Sequence, residues 1–170
     1  MKFKNMFSPI QIGPMTVKNR FVVPPMGNNF ANSDGTWSDE SVAYYGERAK
    51  GQFGLITIEA TVVHKGAKGG PKKPCLYDDN SIESLKKITD ACHEEGAKVS
   101  IQLQNAGPEG NAKNAGAPIQ AATAIASADG RDIPEEVSTE KVYELVKGYG
   151  EAAELSLIHI SEPTRLRCIS

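Results

Sequence analysis

The sequence lacks most of the features that would commit it to a familiar task. Its charges nearly cancel: 24% of residues are charged and the formal net charge is -2. It therefore has no basic excess with which to hold a nucleic acid or an anionic membrane surface. No apolar run is long enough to span a bilayer. The opening stretch MKFKNMFSP carries charge with no apolar run behind it, which argues against a secretory signal. Cysteine is scarce. Cys75, Cys92 and Cys168 form no CxxC pair and no disulfide framework, and their spacing suits no metal, so a reduced, cytoplasmic setting is expected. The glycine-rich stretch GAKGGPKK from Gly66 to Lys73 has no Walker pattern and reads as a flexible basic loop. His64 and His93 read as surface residues on a loop and a helix, without a catalytic role.

What is present is the pattern of a packed α/β domain. Hydrophobic residues make up 39% of the 170, enough for one domain with a real core. The segment from Phe7 to Lys18 alternates around Gly13-Pro14 and predicts a short hairpin. Arg20 to Val23 is a short apolar run stopped by Pro24-Pro25, compatible with a buried strand end. Asp39 to Lys50 places Val42, Tyr45 and Ala49 on one helical face, with Ser38 or Asp39 as N-cap. Gly54 to Ala60 is β-branched, mostly apolar and short, as a buried strand is.

A second helix is predicted from Ser81 to Glu95, with Ile82, Leu85, Ile88 and Cys92 on one stripe and Gly96 as its stop. Lys98 to Leu103 is the next strand. After a long Gly/Ala/Asn-rich connection to about Glu136, a third helix opens at Ser138, with Val142, Leu145, Val146 and Tyr149 as its apolar set. Strands alternating with amphipathic helices imply a parallel sheet, and an open doubly wound sheet and a closed barrel both fit.

The last residues break the pattern. LSLIHISEPTRLRCIS, Leu155 to Ser170, bears no relation to the helix before it. A reverse translation of Leu155 to Arg165 gives a common transposase sequencing adapter, and Ile169-Ser170 fits the constant flank in the same frame. The expected division is therefore 1–154 as native domain and 155–170 as translated adapter. On that reading His159, Pro163 and Cys168 carry no function.

In parallel α/β folds ligands sit at the C-terminal ends of strands. Those ends are Pro24-Pro25-Met26-Gly27, Glu59-Ala60 and the segment Gln102 to Gly107. They hold no nucleophile, no metal-ligand cluster and no phosphate-binding glycine signature. Small residues, backbone amides and one carboxamide suit a flat heteroaromatic ring better than a hydrolytic reaction.

The stretches FSPIQIGPMTVKNRFVVPPM, YYGERAKGQFGLITIEA and KVSIQLQNAG together resemble the old yellow enzyme family, nearest its bacterial NADH:flavin oxidoreductases and 2,4-dienoyl-CoA reductase-like enzymes. The resemblance covers roughly residues 5 to 154. It implies a partial (β/α)8 TIM barrel, about the first three βα units with an N-terminal hairpin. It also implies FMN as cofactor, NAD(P)H as hydride donor and reduction of an activated C=C bond in a small enone or enoyl substrate. Iron–sulfur and FAD groups belong only to longer members. By position, Pro24, Pro25, Met26 and Gly27 match the segment against the isoalloxazine ring. Ala60 matches the small residue ending the second strand, where core packing is an equal alternative to ring contact. Gln102 matches the glutamine at the flavin's pyrimidine edge, its carboxamide offering both a donor and an acceptor.

Two positions depart from the family pattern. Gly27 stands where Thr or Cys is frequent, and Asn105 where His is frequent. The loop at Gly66–Lys73 would lie near the substrate mouth. Catalytic and phosphate-binding residues would come from later strands, so the chain itself is expected to be inactive. The other reading is a non-catalytic binding or structural protein on a degenerate barrel piece. The resemblance gives no nucleic-acid partner, no membrane partner and no oligomeric state.

Overall fold

The computed structural model describes residues 3–128 and 132–160, the last three by backbone only. Pro163, Cys168 and the side chain of His159 lie outside the described residues.

The expected hairpin is present. β1 (Ile10–Ile12) and β2 (Met15–Val17) pair antiparallel, with Ile12 opposite Met15. Gly13 turns the chain at φ +55°, a conformation that favours glycine. Val17, at the end of β2, is buried. It lies against Gly54, where an added Cβ would come within 2.7 Å of both Val17 Cγ1 and Asn19 Oδ1. Asn19 donates to the Gln52 carbonyl at 2.7 Å and accepts the Phe21 N–H at 3.1 Å. The hairpin thus closes the end of the sheet where the strands begin.

Three strands form the sheet: β3 (Val22–Val23), β4 (Leu55–Val62) and β5 (Lys98–Gln104), parallel in the order β3-β4-β5. Between them run α1 (Asp39–Lys50) and, after a short 3-10 turn at Asp79–Ser81, α2 (Ile82–Glu94). Ser38 caps α1 by accepting the Ser41 N–H at 3.2 Å, and Asp39 and Glu40 in the first turn complement the helix dipole. Gly96, at φ +70°, takes the chain out of α2.

Ile56, Ile58 and Val99 pack against Tyr45, Ala49, Leu85, Ile88 and Cys92 in the main core. Each large aliphatic side chain buried there contributes roughly 1.5–3 kcal/mol. Strand alternation then directs Thr57, Ser100 and Gln102 to the opposite face. Thr57 and Ser100 are joined there by a 2.9 Å hydroxyl pair.

The long connection is partly ordered as a turn at Gly107–Glu109, a one-turn helix α3 (Ala112–Ala115) and two short strands. These strands, β6 (Gln120–Ala121) and β7 (Glu135–Glu136), pair with each other in parallel. The final helix, α4 (Thr139–Ile160), turns a different face inward from the one expected. Val142, Val146 and Tyr149 are exposed, while Ala152 is fully buried and Leu155 packs against the main core. Gly148 and Ala152 lie on the inward side, and a Cβ on Gly148 would stand in ordinary contact, 3.4 Å from the carbonyl oxygen of Val63 just after β4. The helix also runs past residue 154, and the Ser156 hydroxyl donates to the Ala153 carbonyl at 2.7 Å.

Candidate functional site

The C-terminal ends of adjacent parallel strands gather the residues singled out from the sequence. Pro24, Pro25, Met26 and Gly27 leave β3 as an exposed segment, with Met26 58% exposed. Gln102 is exposed near the end of β5, on the face away from the helices. Ala60 sits within β4, which continues to Val62, so it does not end the strand as the sequence suggested. The register of β4 on β5 shifts between Ile58 and Thr61, and Ala60, partly buried, lies in that irregularity.

A buried polar cluster lies beside this segment and was missed in the sequence. Glu59 is completely buried. Its Oε2 lies 3.5 Å from Lys73 Nζ and accepts the Asn28 N–H at 3.4 Å, whereas Oε1 has no partner. The Glu59 N–H donates to Tyr45 Oη at 2.9 Å, and Asn28 Nδ2 reaches the same hydroxyl at 3.5 Å. Burial raises the Glu59 carboxyl above the usual carboxylate range, opposed by the Lys73 charge and by the Asn28 N–H. Burial likewise pushes the Tyr45 hydroxyl up, so it acts as a neutral hydrogen-bonding group. A carboxylate in an otherwise apolar strand was the one signal in the sequence. Its partners come from three other segments.

The loop from Gly66 to Lys73 does not stand free. Lys68 is buried and donates to the Ser33 carbonyl at 2.9 Å. The carbonyls of Ala67 and Lys68 accept the N–H groups of Ala106 and Asn111 at 3.2 and 3.1 Å. His64 lies on the loop after β4 and is half-buried. Burial, and then the nearby charge of Lys141, lower its pKa. Cys75 and Cys92 are free and buried, and burial pushes the Cys92 thiol up to about 12.

A groove of about 750 Å³, lined in part by Trp37, Ser38, Glu83 and Lys87, lies near the starts of α1 and α2. It holds none of the strand-end residues predicted from sequence. Among the described residues no group of three His, Cys, Asp or Glu side chains is placed to hold a metal ion. No described helix is long and apolar enough to cross a membrane.

Parallel strands with helices packed on one face, and small residues with a carboxamide at their C-terminal ends, define part of an α/β-barrel-type protein. The chain belongs to the NADH:flavin oxidoreductase / NADH oxidase family, whose sequence profile matches residues 5–158. It is 36% identical over 151 residues to the NADPH dehydrogenase of Bacillus subtilis, covering 88% of this chain and 44% of that protein. The old yellow enzyme homologue of Zymomonas mobilis superposes with a TM-score of 0.82 at 28% identity, over 90% of this chain and 45% of the other. The old yellow enzyme of a Pichia species gives 0.83 at 29% identity, over 92% and 43%. The fold is therefore that of the old yellow enzyme barrels over part of their length. The chain spans less than half of these relatives.

Proposed function

We propose that this chain supplies the first flavin-facing part of an FMN-dependent ene-reductase. The observation that carries the reading is the exposure of Pro24–Gly27 and of the Gln102 carboxamide together, at the C-terminal end of one parallel sheet. These residues fit the cofactor. The 24–27 segment offers backbone and proline surface to a flat ring, and an added Cβ at Gly27 would meet only the Lys73 ammonium within 3 Å. Gln102 offers both a donor and an acceptor to a ring edge that carries both.

When bound, FMN would carry hydride from NAD(P)H to an electron-poor C=C bond, chemistry that belongs to the cofactor. The chain's part is to bind and orient. Gln102 would fix the polar edge, Pro24 to Gly27 would support the ring, and Ala60 would keep bulk away. The groups that hold the phosphate and protonate the substrate would come from later strands. A small enone or enoyl compound is the substrate class, and the free, buried Cys75 and Cys92 support a reducing, cytoplasmic setting.

The test is expression of the full-length gene. The expected outcome is a protein that retains FMN and, with oxygen excluded, turns over NAD(P)H only when an electron-poor alkene such as 2-cyclohexenone is present. A folded full-length protein that takes up no FMN on reconstitution would favour a non-catalytic role and overturn the proposal.

A further inference from the structure

A side chain at Gly27 would meet the end of Lys73, which occupies that place. A Cβ built on Gly27 would lie 2.7 Å from Lys73 Nζ and 3.7 Å from Glu59 Oε2. The ammonium arrives from a separate part of the chain. Its backbone is anchored just beyond, where the Pro74 carbonyl accepts the Val62 N–H at 2.8 Å and the Cys75 N–H donates to Gly35 at 2.9 Å. The Lys73 side chain is only 23% exposed, and its partner Glu59 is fully buried at 3.5 Å. That separation is long for a charge-assisted hydrogen bond. The cation is thus steered to the β3 end without being tightly neutralised there.

We infer that Lys73 is a positioning residue for the group bound against the 24–27 segment, its ammonium standing in for a side chain at position 27 and presenting positive charge to the ring. The inference rests on the flavin reading above. Two electrons and one proton, delivered as hydride by NAD(P)H, convert the oxidised flavin to its anionic reduced form. A cation at the ring edge favours the form with the extra negative charge. Lys73 therefore makes the protein hold reduced FMN more tightly, relative to oxidised FMN, than it otherwise would.

The readout is the ratio of FMN dissociation constants in the oxidised and reduced states of the full-length protein, which is independent of turnover. Lys73→Met is expected to shift this ratio about tenfold towards the oxidised form, equivalent to about 30 mV for a two-electron couple. Lys73→Arg is expected to keep most of the wild-type ratio. Gly27→Ala is expected to fold, because the atom it meets is the mobile end of a lysine, and to shift the ratio in the same direction by displacing the ammonium. The double variant is expected to shift it no further than Lys73→Met alone. An unchanged ratio in Lys73→Met, an equal weakening of both forms, a shift in Lys73→Arg as large as in Lys73→Met, or additive effects of the two substitutions would each overturn the inference while leaving the flavin reading intact. A folded wild-type protein that binds FMN in neither state would overturn both.

Discussion

Tyr45 on α1 accepts the backbone N–H of Glu59 on β4 at 2.9 Å, joining the helix layer to the sheet where β4 loses register with β5. The same hydroxyl lies 3.5 Å from Asn28 Nδ2, one residue beyond Gly27. A core side chain thus sets the positions of two strand ends. Tyr45→Phe would keep the packing and leave the Glu59 N–H buried without an acceptor. The expected loss is about 1–3 kcal/mol in urea denaturation of the full-length protein. An unchanged midpoint would show that the hydroxyl contributes packing alone.

Glu59 gives a pH signature with a definite sign. Its carboxyl is raised in the folded protein, so the folded state holds this proton more tightly than the unfolded chain does. The contribution to stability is complete below the ordinary glutamate value of 4.5 and is lost as pH rises through the raised value. Glu59→Gln removes that component. Over the range of pH above 4.5 the wild type is expected to lose stability relative to the variant. Parallel urea midpoints across that range would contradict a buried, raised carboxyl.

Gln102→Leu in the full-length protein is expected to weaken FMN binding by about 1–3 kcal/mol, because its partners on the flavin edge are left unsatisfied. Titration of the apoprotein measures this, and an unchanged affinity removes Gln102 from the site. Ala60→Leu adds bulk at the irregularity in β4, where overpacking alone costs typically ~1–3 kcal/mol. Its effect on FMN affinity is expected to exceed that of Gln102→Leu if the ring packs there.

Local chemistry made much of this fold legible. Ser38, two acidic residues and the apolar spacing of α1 state its start and its face in one short stretch, and Asp39–Lys50 appears as predicted. The α4 face was not legible, because apolar residues lie nearly all round the helix. Tertiary contact chose the side with Gly148 and Ala152, which a count of large apolar residues overlooks. The loop from Gly66 to Lys73 looked free because its partners Ser33, Ala106 and Asn111 are distant in sequence. The Glu59–Lys73 pair was hidden for the same reason. Its geometry exists only after the strand ends meet.

We read residues 155–170 as translated adapter sequence. The first of them continue α4, and Leu155 packs against the core, as apolar residues appended to a helix can do. Long-read resequencing of the locus is expected to show different codons after Glu154. Genomic DNA that encodes LSLIHISEPTRLRCIS would make the segment native.

The 170-residue polypeptide, expressed alone, is expected neither to fold stably nor to hold FMN. β3 and β5 each pair only with β4, so both outer edges of the described sheet carry unpaired backbone groups. Large apolar side chains also stand in water: Val22 is 49% exposed, Val146 62% and Tyr143 71%. About 25 cal/mol is forgone for each Å² of apolar surface left in water. Native stability is only about 5–15 kcal/mol, so losses spread over two sheet edges and one helix face are large enough to exceed it. With the later strands absent, the proposed phosphate site is missing too. The expected preparation is aggregated or molten, colourless, and without NAD(P)H-dependent alkene reduction, as judged by size-exclusion chromatography, near-UV circular dichroism and the flavin absorbance. A yellow, monodisperse protein with a cooperative thermal transition would show that these strands form a self-sufficient flavin-binding unit.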